Sequence, residues 1–485
     1  MGNLLLVIFF ITLLPYSNHT LKIWDESSYA LNAIEMSMDF DNLLINFRDE
    51  KPDFYSVKPT FVIFLQAICI RILGINEFAI RLPSIFFGIL SVFMIKRMSY
   101  GLTKNKIISF ISPVVFLTSN LLYIQHGMFS GNLDITLMFF TSTAFLIVLN
   151  HSINFRDLEK FIDIYLIVFV SLIFFGFLSK GLASIFFFPS ILFLLISNWN
   201  KYQKFKTKIL IAGLLIIMIP ISYYTIANFI YPDYFKVVFL SEIARIYDPS
   251  DMKGHIQDTF YYFKELPNHL NYYLFFIPIF LFGLKNSPYK FLIIQLGLSI
   301  LIYLVSLSLL KVKIIWYLIP LLPLYSIFIA VLFKDFISKI FTFDSQNALL
   351  IISVISILFI AKPIKNLYQK LDSQVLLVRD KYEIPGNFLN NLFEENKIKG
   401  DINIVFNHPY PLSSQLEFYR KKVEYYTEFK VNITNEIDFD NDLIMIARDE
   451  FENFILNKNI HLNMIKTWDN FVLVEKINDN KNGID

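Results

Sequence analysis

From Met1 to Lys362 the chain alternates long apolar runs with short polar loops, and from Pro363 onward it switches to brief apolar runs set among charged residues. A helix that crosses a bilayer needs about 20 mostly apolar residues. Eleven runs approach that length, near residues 2–16, 79–95, 107–123, 135–150, 164–179, 182–197, 209–230, 272–284, 291–310, 314–333 and 347–362. This predicts a polytopic α-helical membrane domain over 1–362, with about 11 to 13 transmembrane helices depending on how the longest runs divide. The stretch 363–485 holds 20 acidic and 15 basic residues. Its runs at Ile402 to Phe406, Leu443 to Ala447 and Phe471 to Val474 are β-rich and alternate with polar segments of helical character, which predicts a soluble α/β domain.

Composition removes whole classes of protein. With 55% hydrophobic and only 17% charged residues, and a mean hydropathy of +0.52, the chain lies far from the roughly 25% charge of a soluble globular protein. A net charge of +2 from 43 basic and 41 acidic residues offers no basic footprint for nucleic acid. The lone cysteine, Cys69, excludes an intrachain disulfide and a cysteine metal cluster.

Basic loops fix the orientation, because Lys and Arg in short loops stay cytoplasmic. Loop 96–106 carries Lys96, Arg97, Lys104 and Lys106 with no acid, and loop 198–208 carries Lys201, Lys204, Lys206 and Lys208. Both belong inside. Loop 17–58 carries Asp25, Glu26, Glu35, Asp39, Asp41, Asp49, Glu50 and Asp53 against four bases, and 231–270 is also net acidic, so both belong outside. Only one crossing fits between Lys58 outside and Lys96 inside, yet apolar runs stand at 59–73 and 79–95. The shorter first run is therefore interfacial or re-entrant. The amino terminus then lies in the cytoplasm, and loops 17–78 and 231–271 and the domain 363–485 lie outside. Met1 to Ser17 lacks a basic start and a small-residue cleavage site, so it reads as a retained span and not as a signal peptide.

The span number suggests a non-enzymatic transporter of lipid or glycan, but transporters place ionisable groups at mid-membrane. Here the spans are nearly free of acids, and polar residues gather at their outward ends. That distribution favours a catalytic site at the membrane surface and leaves the transporter as the alternative.

Five clusters carry candidate chemistry. In Trp24-Asp25-Glu26-Ser27-Ser28-Tyr29-Ala30, Asp25 is either a carboxylate tuned at the rim of the hydrocarbon or the cap of a helix beginning at Glu26. Lys58, before Pro59, either meets a phosphate as a point charge or snorkels to the interface. Between Gln125 and Asp134, Asp134 heads an apolar helix and suits capping or catalysis, while His126 is a ligand or a satisfied hydrogen-bonding group. The stretch Phe239 to Arg245 offers a planar fork for phosphate oxygens at Arg245, or a surface pair with Glu242 or Asp248, and His255 and the aromatic run Phe260 to Phe263 follow it. In Lys311 to Pro323 an aromatic belt explains Trp316 and Tyr317, but not Lys311 and Lys313 on the side where positive charge is sparse.

The order and wording of these motifs resemble bacterial glycosyltransferases similar to the lipid A aminoarabinose transferase and the protein O-mannosyltransferases. The resemblance rests on Asp25-Glu26-x-x-Tyr29-Ala30, Lys58-Pro59, Asn76-Glu77-Phe78-Ala79-Ile80-Arg81-Leu82-Pro83-Ser84, Leu178-Ser179-Lys180-Gly181, Phe239-Leu240-x-Glu242-x-x-Arg245 and Lys311-x-Lys313-x-x-Trp316-Tyr317-Leu318-x-Pro320-x-x-Pro323. It implies a GT-C fold with an outward cavity, a bacterial inner-membrane setting and a sugar donor carried on a polyprenyl phosphate. By position it implies Asp25 at the reacting centre, Asp134 as second acid, and Lys58, Arg245, Lys311, Lys313 and Tyr317 around the donor phosphate, with Glu26, His126 and His255 as further site candidates. Ser28 stands where conspicuous members have arginine and Val57 where they have an acid, which leaves a metal ligand at Val57 in question and the use of a divalent metal open.

The physical chemistry agrees with this expectation. A lipid-linked sugar keeps its tail in the bilayer and its phosphate at the interface, so cations are needed at span ends, where Lys58, Arg245, Lys311 and Lys313 stand. A carboxylate takes the acceptor's proton while fixed cations stabilise the departing phosphate, and direct displacement inverts the anomeric centre. The expected partners are that donor, a lipid, glycan or protein acceptor, and membrane lipids.

Overall fold

The computed structural model describes residues 10–41, 43–154, 158–243, 255–270, 287–340, 364–369, 381–398, 400–406, 410–434, 443–447, 462–468 and 471–476, with a few single positions between them. Its principal helices are α1 (Asp25–Met38), α2 (Phe61–Leu73), α3 (Glu77–Thr103), α4 (Lys106–Leu117), α5 (Asp134–Ile153), α6 (Leu158–Lys180), α7 (Phe188–Ser197), α8 (Lys206–Ile230), α9 (Tyr261–His269), α10 (Lys290–Ser308), α11 (Leu322–Ile340), α12 (Ile384–Glu394) and α13 (Ser414–Tyr426).

Among the described residues six apolar segments are long enough to cross a membrane: Glu77–Thr103, Asp134–Ile153, Ile162–Ser197, Trp199–Ile230, Lys290–Ser308 and Ile315–Ser338. The segment Ile162–Ser197 is two antiparallel limbs. Gly181, at φ +61°, reverses the chain, and Ile173 then packs with Phe188 while Ile162 packs with Leu195 and Tyr202. The runs expected at 164–179 and 182–197 are therefore separate limbs. The expected spans at 347–362 and most of 272–284 lie outside the described residues. Helix α8 exposes Leu210, Ile211, Leu214, Leu215, Ile217, Met218 and Ile221, a surface that only lipid can cover in an aqueous organism. By contrast 83% of the Ile315–Ser338 window is buried, so that segment is the central post of the bundle. The protein is a multi-pass membrane protein.

Helix α2 has only 13 residues, too short for a crossing that needs ~20, as parity requires. Local chemistry ends and restarts the chain around it. Gly74 takes φ +78°, a conformation that costs L side chains energy, and Asn76 then caps α3 by accepting from the Ala79 N–H at 2.8 Å. Asn105 does the same for α4, accepting from Ile107 and Ile108 at 2.9 and 3.2 Å.

The two ends of the bundle differ in character. The basic loops share one end: Asn154 donates to the Gly101 carbonyl at 3.1 Å, the hydroxyls of Ser152 and Tyr202 lie 3.0 Å apart, and Lys201 donates to the Ser152 carbonyl. The opposite end carries α1, the amino-terminal end of α5, the Gly181 turn and the carboxy-terminal α/β region.

That α/β region contains β3 (Ile402–Val405), β4 (Val431–Thr434), β5 (Leu443–Ala447), β6 (Leu462–Trp468) and β7 (Phe471–Lys476), after a short hairpin β1 (Phe47–Arg48) and β2 (Lys51–Pro52) in the first long loop. The five-stranded sheet has the order β4-β3-β5-β7-β6, with β3 parallel to β4 and β5, and β7 antiparallel to β5 and β6. The three strands expected from sequence are β3, β5 and β7. Strands β4 and β6 were hidden by polar residues such as Asn432 and Lys466. The region is not an independent bead: Phe388, Leu389, Leu416, Phe418 and Tyr419 share one buried cluster with Leu31, Ile34, Val62 and Ile80 of α1, α2 and α3.

Candidate active site

Trp24 precedes α1 with φ 71°, an unfavourable value for a bulky residue, and the turn aims Asp25 away from the helix axis. Asp25 opens α1, yet the helix receives no side-chain cap bond. The capping alternative is therefore not realised. Instead the Asp25 carboxylate, 37% exposed, has an oxygen 3.7 Å from Nε2 of His126. That distance is too long for a hydrogen bond, so the imidazole flanks the carboxylate and leaves its oxygens open.

His126 is buried and fixed at one edge and one face. Its Nδ1 lies 2.9 Å from Asp134, and its ring stacks flat on Trp316 with centroids 3.8 Å apart and planes 7° from parallel. Asp134 begins α5 and is 1% exposed, with Lys180 Nζ at 2.5 and 2.6 Å from its two oxygens. Lys180 ends α6 at the Gly181 turn, and its ammonium lies 5.9 Å from the Tyr317 ring centroid. An isolated buried carboxylate would be very costly, so Lys180 is the compensating charge that allows Asp134 to hold His126. The series runs from the exposed Asp25 through His126 to the buried Asp134, which Lys180 neutralises.

Lys58 stands nearby, because Pro59 packs against the Gly181 turn. Its ammonium pairs with Glu242, which lies in a π-helical turn, Phe239–Ile243. Tyr29 of α1 links these groups: burial pushes its phenol pKa well up, and the charges of Asp25, Asp134 and Glu242 push the same way. The phenol therefore stays protonated as a donor.

Other expected site residues do different work. Glu26 is buried against Arg81, with Nε–Oε1 at 2.8 Å, and also accepts from the Lys22 and Gly131 N–H groups at 2.8 Å each. Arg81 in turn donates to the carbonyls of Ser17, His19 and Thr20. This buried pair splints the approach to Asp25 and cannot reach a substrate. Lys313, expected beside the donor phosphate, is 4% exposed and gives its ammonium to the carbonyls of Gln257 and Leu310, at 3.1 and 2.5 Å. It is buried together with its neighbours Val312 and Ile314, so carbonyls must satisfy it. Lys311 is exposed; His255 is exposed too and accepts from the Lys313 N–H through its carbonyl at 2.9 Å. The Tyr317 carbonyl accepts from Tyr303 at 2.8 Å. Arg245 lies outside the described residues. Val57 is buried and its carbonyl accepts from Tyr234 at 3.0 Å.

Residues 57–225 match the family model of dolichyl-phosphate-mannose-protein mannosyltransferases. ArnT from Cupriavidus metallidurans, bound to undecaprenyl phosphate, aligns over 98% of both chains with a TM-score of 0.65 at 11% identity. Its apo form aligns over 96% of this chain and 97% of that one, with a TM-score of 0.62 at 12% identity. No curated protein sequence matches the chain. The protein has the GT-C fold.

Two members of this polar cluster had weak sequence signals. Lys180 was visible in Leu178-Ser179-Lys180-Gly181 and had a readable cue, since a lysine at the end of an apolar run needs a buried partner or a functional one. Trp316 reads as an interfacial ring until its stack on His126 is seen.

His19, beside the Glu26–Arg81 pair, illustrates the electrostatics of this region. Burial, and next the Arg81 charge, lower its pKa from 6.5 to about 3. A depressed histidine is neutral when folded, so the unfolded chain binds more protons between these two values. Its stabilising contribution is complete above pH 6.5 and is lost as pH falls toward 3. Thermal unfolding in detergent should therefore show a steeper loss of midpoint between neutral and mildly acidic pH for the wild type than for His19→Asn. Parallel slopes would refute this assignment.

Proposed function

We propose that this protein is a glycosyltransferase that moves a sugar from a polyprenyl-phosphate carrier to an acceptor hydroxyl of a lipid, glycan or protein at the extracytoplasmic face of a bacterial inner membrane, with inversion. The observation that carries the reading is a solvent-accessible carboxylate, Asp25, set one imidazole away from a buried aspartate–lysine pair. ArnT, of the same fold, holds undecaprenyl phosphate in its structure.

Exposure decides between the two aspartates. Asp134 is sealed and its oxygens take bonds from Lys180 and His126, whereas Asp25 is open. Asp25 is therefore the base. It takes the proton as the acceptor oxygen bonds to the anomeric carbon and the bond from that carbon to the phosphate oxygen breaks, leaving its electron pair on phosphate. Lys58 stabilises that charge, and attack opposite the leaving group inverts the centre. His126 and Asp134 hold the local charge steady and do not touch the sugar. Among the described residues no three His, Cys, Asp or Glu side chains converge on one point, and Asp134 is already saturated, so a divalent ion finds no ready cage and no step is routed through one.

Purified protein given a polyprenyl-phosphate sugar and a hydroxyl acceptor should form a glycoside whose anomeric configuration, read by NMR, is opposite to the donor's. Retention of configuration would sink the single-displacement reading. The basic loops at one end of the bundle support this facing, and a phosphatase fused after Asp485 should be active in intact cells; an inactive, stably expressed fusion reverses the orientation.

Glu242 competes with a phosphate for the charge of Lys58. Glu242→Gln should therefore tighten binding of polyprenyl phosphate. On the scale of a part-buried ion pair, about 1 kcal/mol, the gain is roughly fivefold. Titration of detergent-solubilised protein with the lipid phosphate measures it, and weaker binding would show instead that Glu242 organises the site.

A further inference from the structure

We propose that the carboxy-terminal α/β region is a clamp that positions Asp25. The inference rests on the reading of Asp25 as the base. The segment Leu21–Ser27, which leads into α1, is gripped from that region at four of its residues. Leu21 is held at both backbone groups: its N–H donates to the Tyr419 hydroxyl at 3.0 Å, and its carbonyl accepts from Gln415 at 2.6 Å. The Lys22 ammonium and the Ile23 N–H reach the two oxygens of Glu383, at 3.1 and 3.3 Å. The hydroxyls of Ser27 and Ser414 lie 2.6 Å apart. Gln415 is braced in turn by Asn387 of α12 at 3.1 Å, and Lys422 ties α13 to Glu77 of α3, with both carboxylate oxygens at 2.9 Å.

Two features show why a clamp is needed. Trp24 holds a positive φ that costs energy and persists only where its surroundings over-determine it. Behind the loop, between Tyr16, His19, Lys22, Trp24, Tyr123 and Phe129, lies a cavity of about 230 Å³ instead of packed side chains. The loop therefore has room to relax, and bonds from above hold it. A base displaced by about 1 Å loses on the order of a hundredfold in rate. The clamp residues are positioning residues: they act on kcat through Asp25 and leave the Lys58 phosphate site alone.

The test combines Tyr419→Phe and Gln415→Met, which keep side-chain volume and remove the bonds to Leu21, in the full-length membrane protein. The expected result is a fall in kcat of about a hundredfold with the donor KM within twofold, and faster hydrogen exchange confined to residues 20–28. Tyr419→Phe alone, which preserves the ring packing, should give a smaller fall of the same kind and serves if the double variant unfolds. A raised KM with unchanged kcat would overturn the clamp by showing that the region binds substrate, and unchanged kinetics would overturn it as well. Asp25→Asn measured alongside separates the two claims. If Asp25→Asn abolishes transfer and the clamp variants behave as wild type, only the clamp fails; if Asp25→Asn transfers sugar normally, the reading of Asp25 fails.

Discussion

Replacing Asp25 by Asn should lower sugar transfer by a factor of about 10³ or more while polyprenyl-phosphate binding changes little. General-base catalysis alone supplies typically 10² to 10⁴ in rate, and an amide of the same shape cannot accept the acceptor's proton. The neighbouring groups magnify the effect. Asp134 cannot substitute, because it is 1% exposed and bonded to Lys180 and His126. A labelled donor assay, paired with a binding titration of the lipid phosphate, makes the measurement. Transfer within tenfold of wild type would remove Asp25 from the chemistry. Loss of binding in step with loss of transfer would recast Asp25 as a substrate-binding group.

The largest effect on stability is expected from Arg81→Met. Arg81 is completely buried, pairs with Glu26 and satisfies three carbonyls of the loop before α1. Burial by itself would raise the Glu26 carboxyl, but the Arg81 charge and hydrogen bond hold it below the usual carboxylate range. Methionine would leave that charge unpaired in the interior, at a cost of about 3 to 5 kcal/mol. Arg81→Met should therefore give little folded protein in detergent, read by thermal unfolding or size-exclusion profile. The double variant Arg81→Met/Glu26→Met should recover part of the loss, because removing both charges removes the desolvation cost as well. Failure of the double variant to recover any stability would mean that the three carbonyl bonds, and not the ion pair, carry the effect. Since the lowered Glu26 pKa contributes stability above its unfolded value of 4.5, that contribution also fades as pH falls below it.

The two aspartates show what could be read from the chain and what could not. Both were legible as carboxylates at the ends of apolar runs, and their neighbours Glu26 and His126 were visible beside them. Their roles were not legible. Glu26 and Asp25 are adjacent in sequence, yet a helical step of about 100° sends one to solvent and the other into Arg81. Lys311 and Lys313 looked alike on one loop, but Lys311 is exposed while Lys313 is buried and donates to carbonyls, a difference that their spacing of two residues does not predict.

What the sequence by itself determined was the membrane setting, the basic and acidic loops and the ordered motifs of a GT-C chain, because hydropathy and charge act locally and survive without knowledge of partners. What only the tertiary structure decided was which charges meet: Asp25 with His126, Asp134 with Lys180, Lys58 with Glu242, and the 21–27 loop with Gln415 and Tyr419, nearly 400 positions away along the chain. In a low-dielectric interior a charge is tolerated only beside its partner, and that partner is chosen by how the helices pack, which no window of neighbouring residues contains.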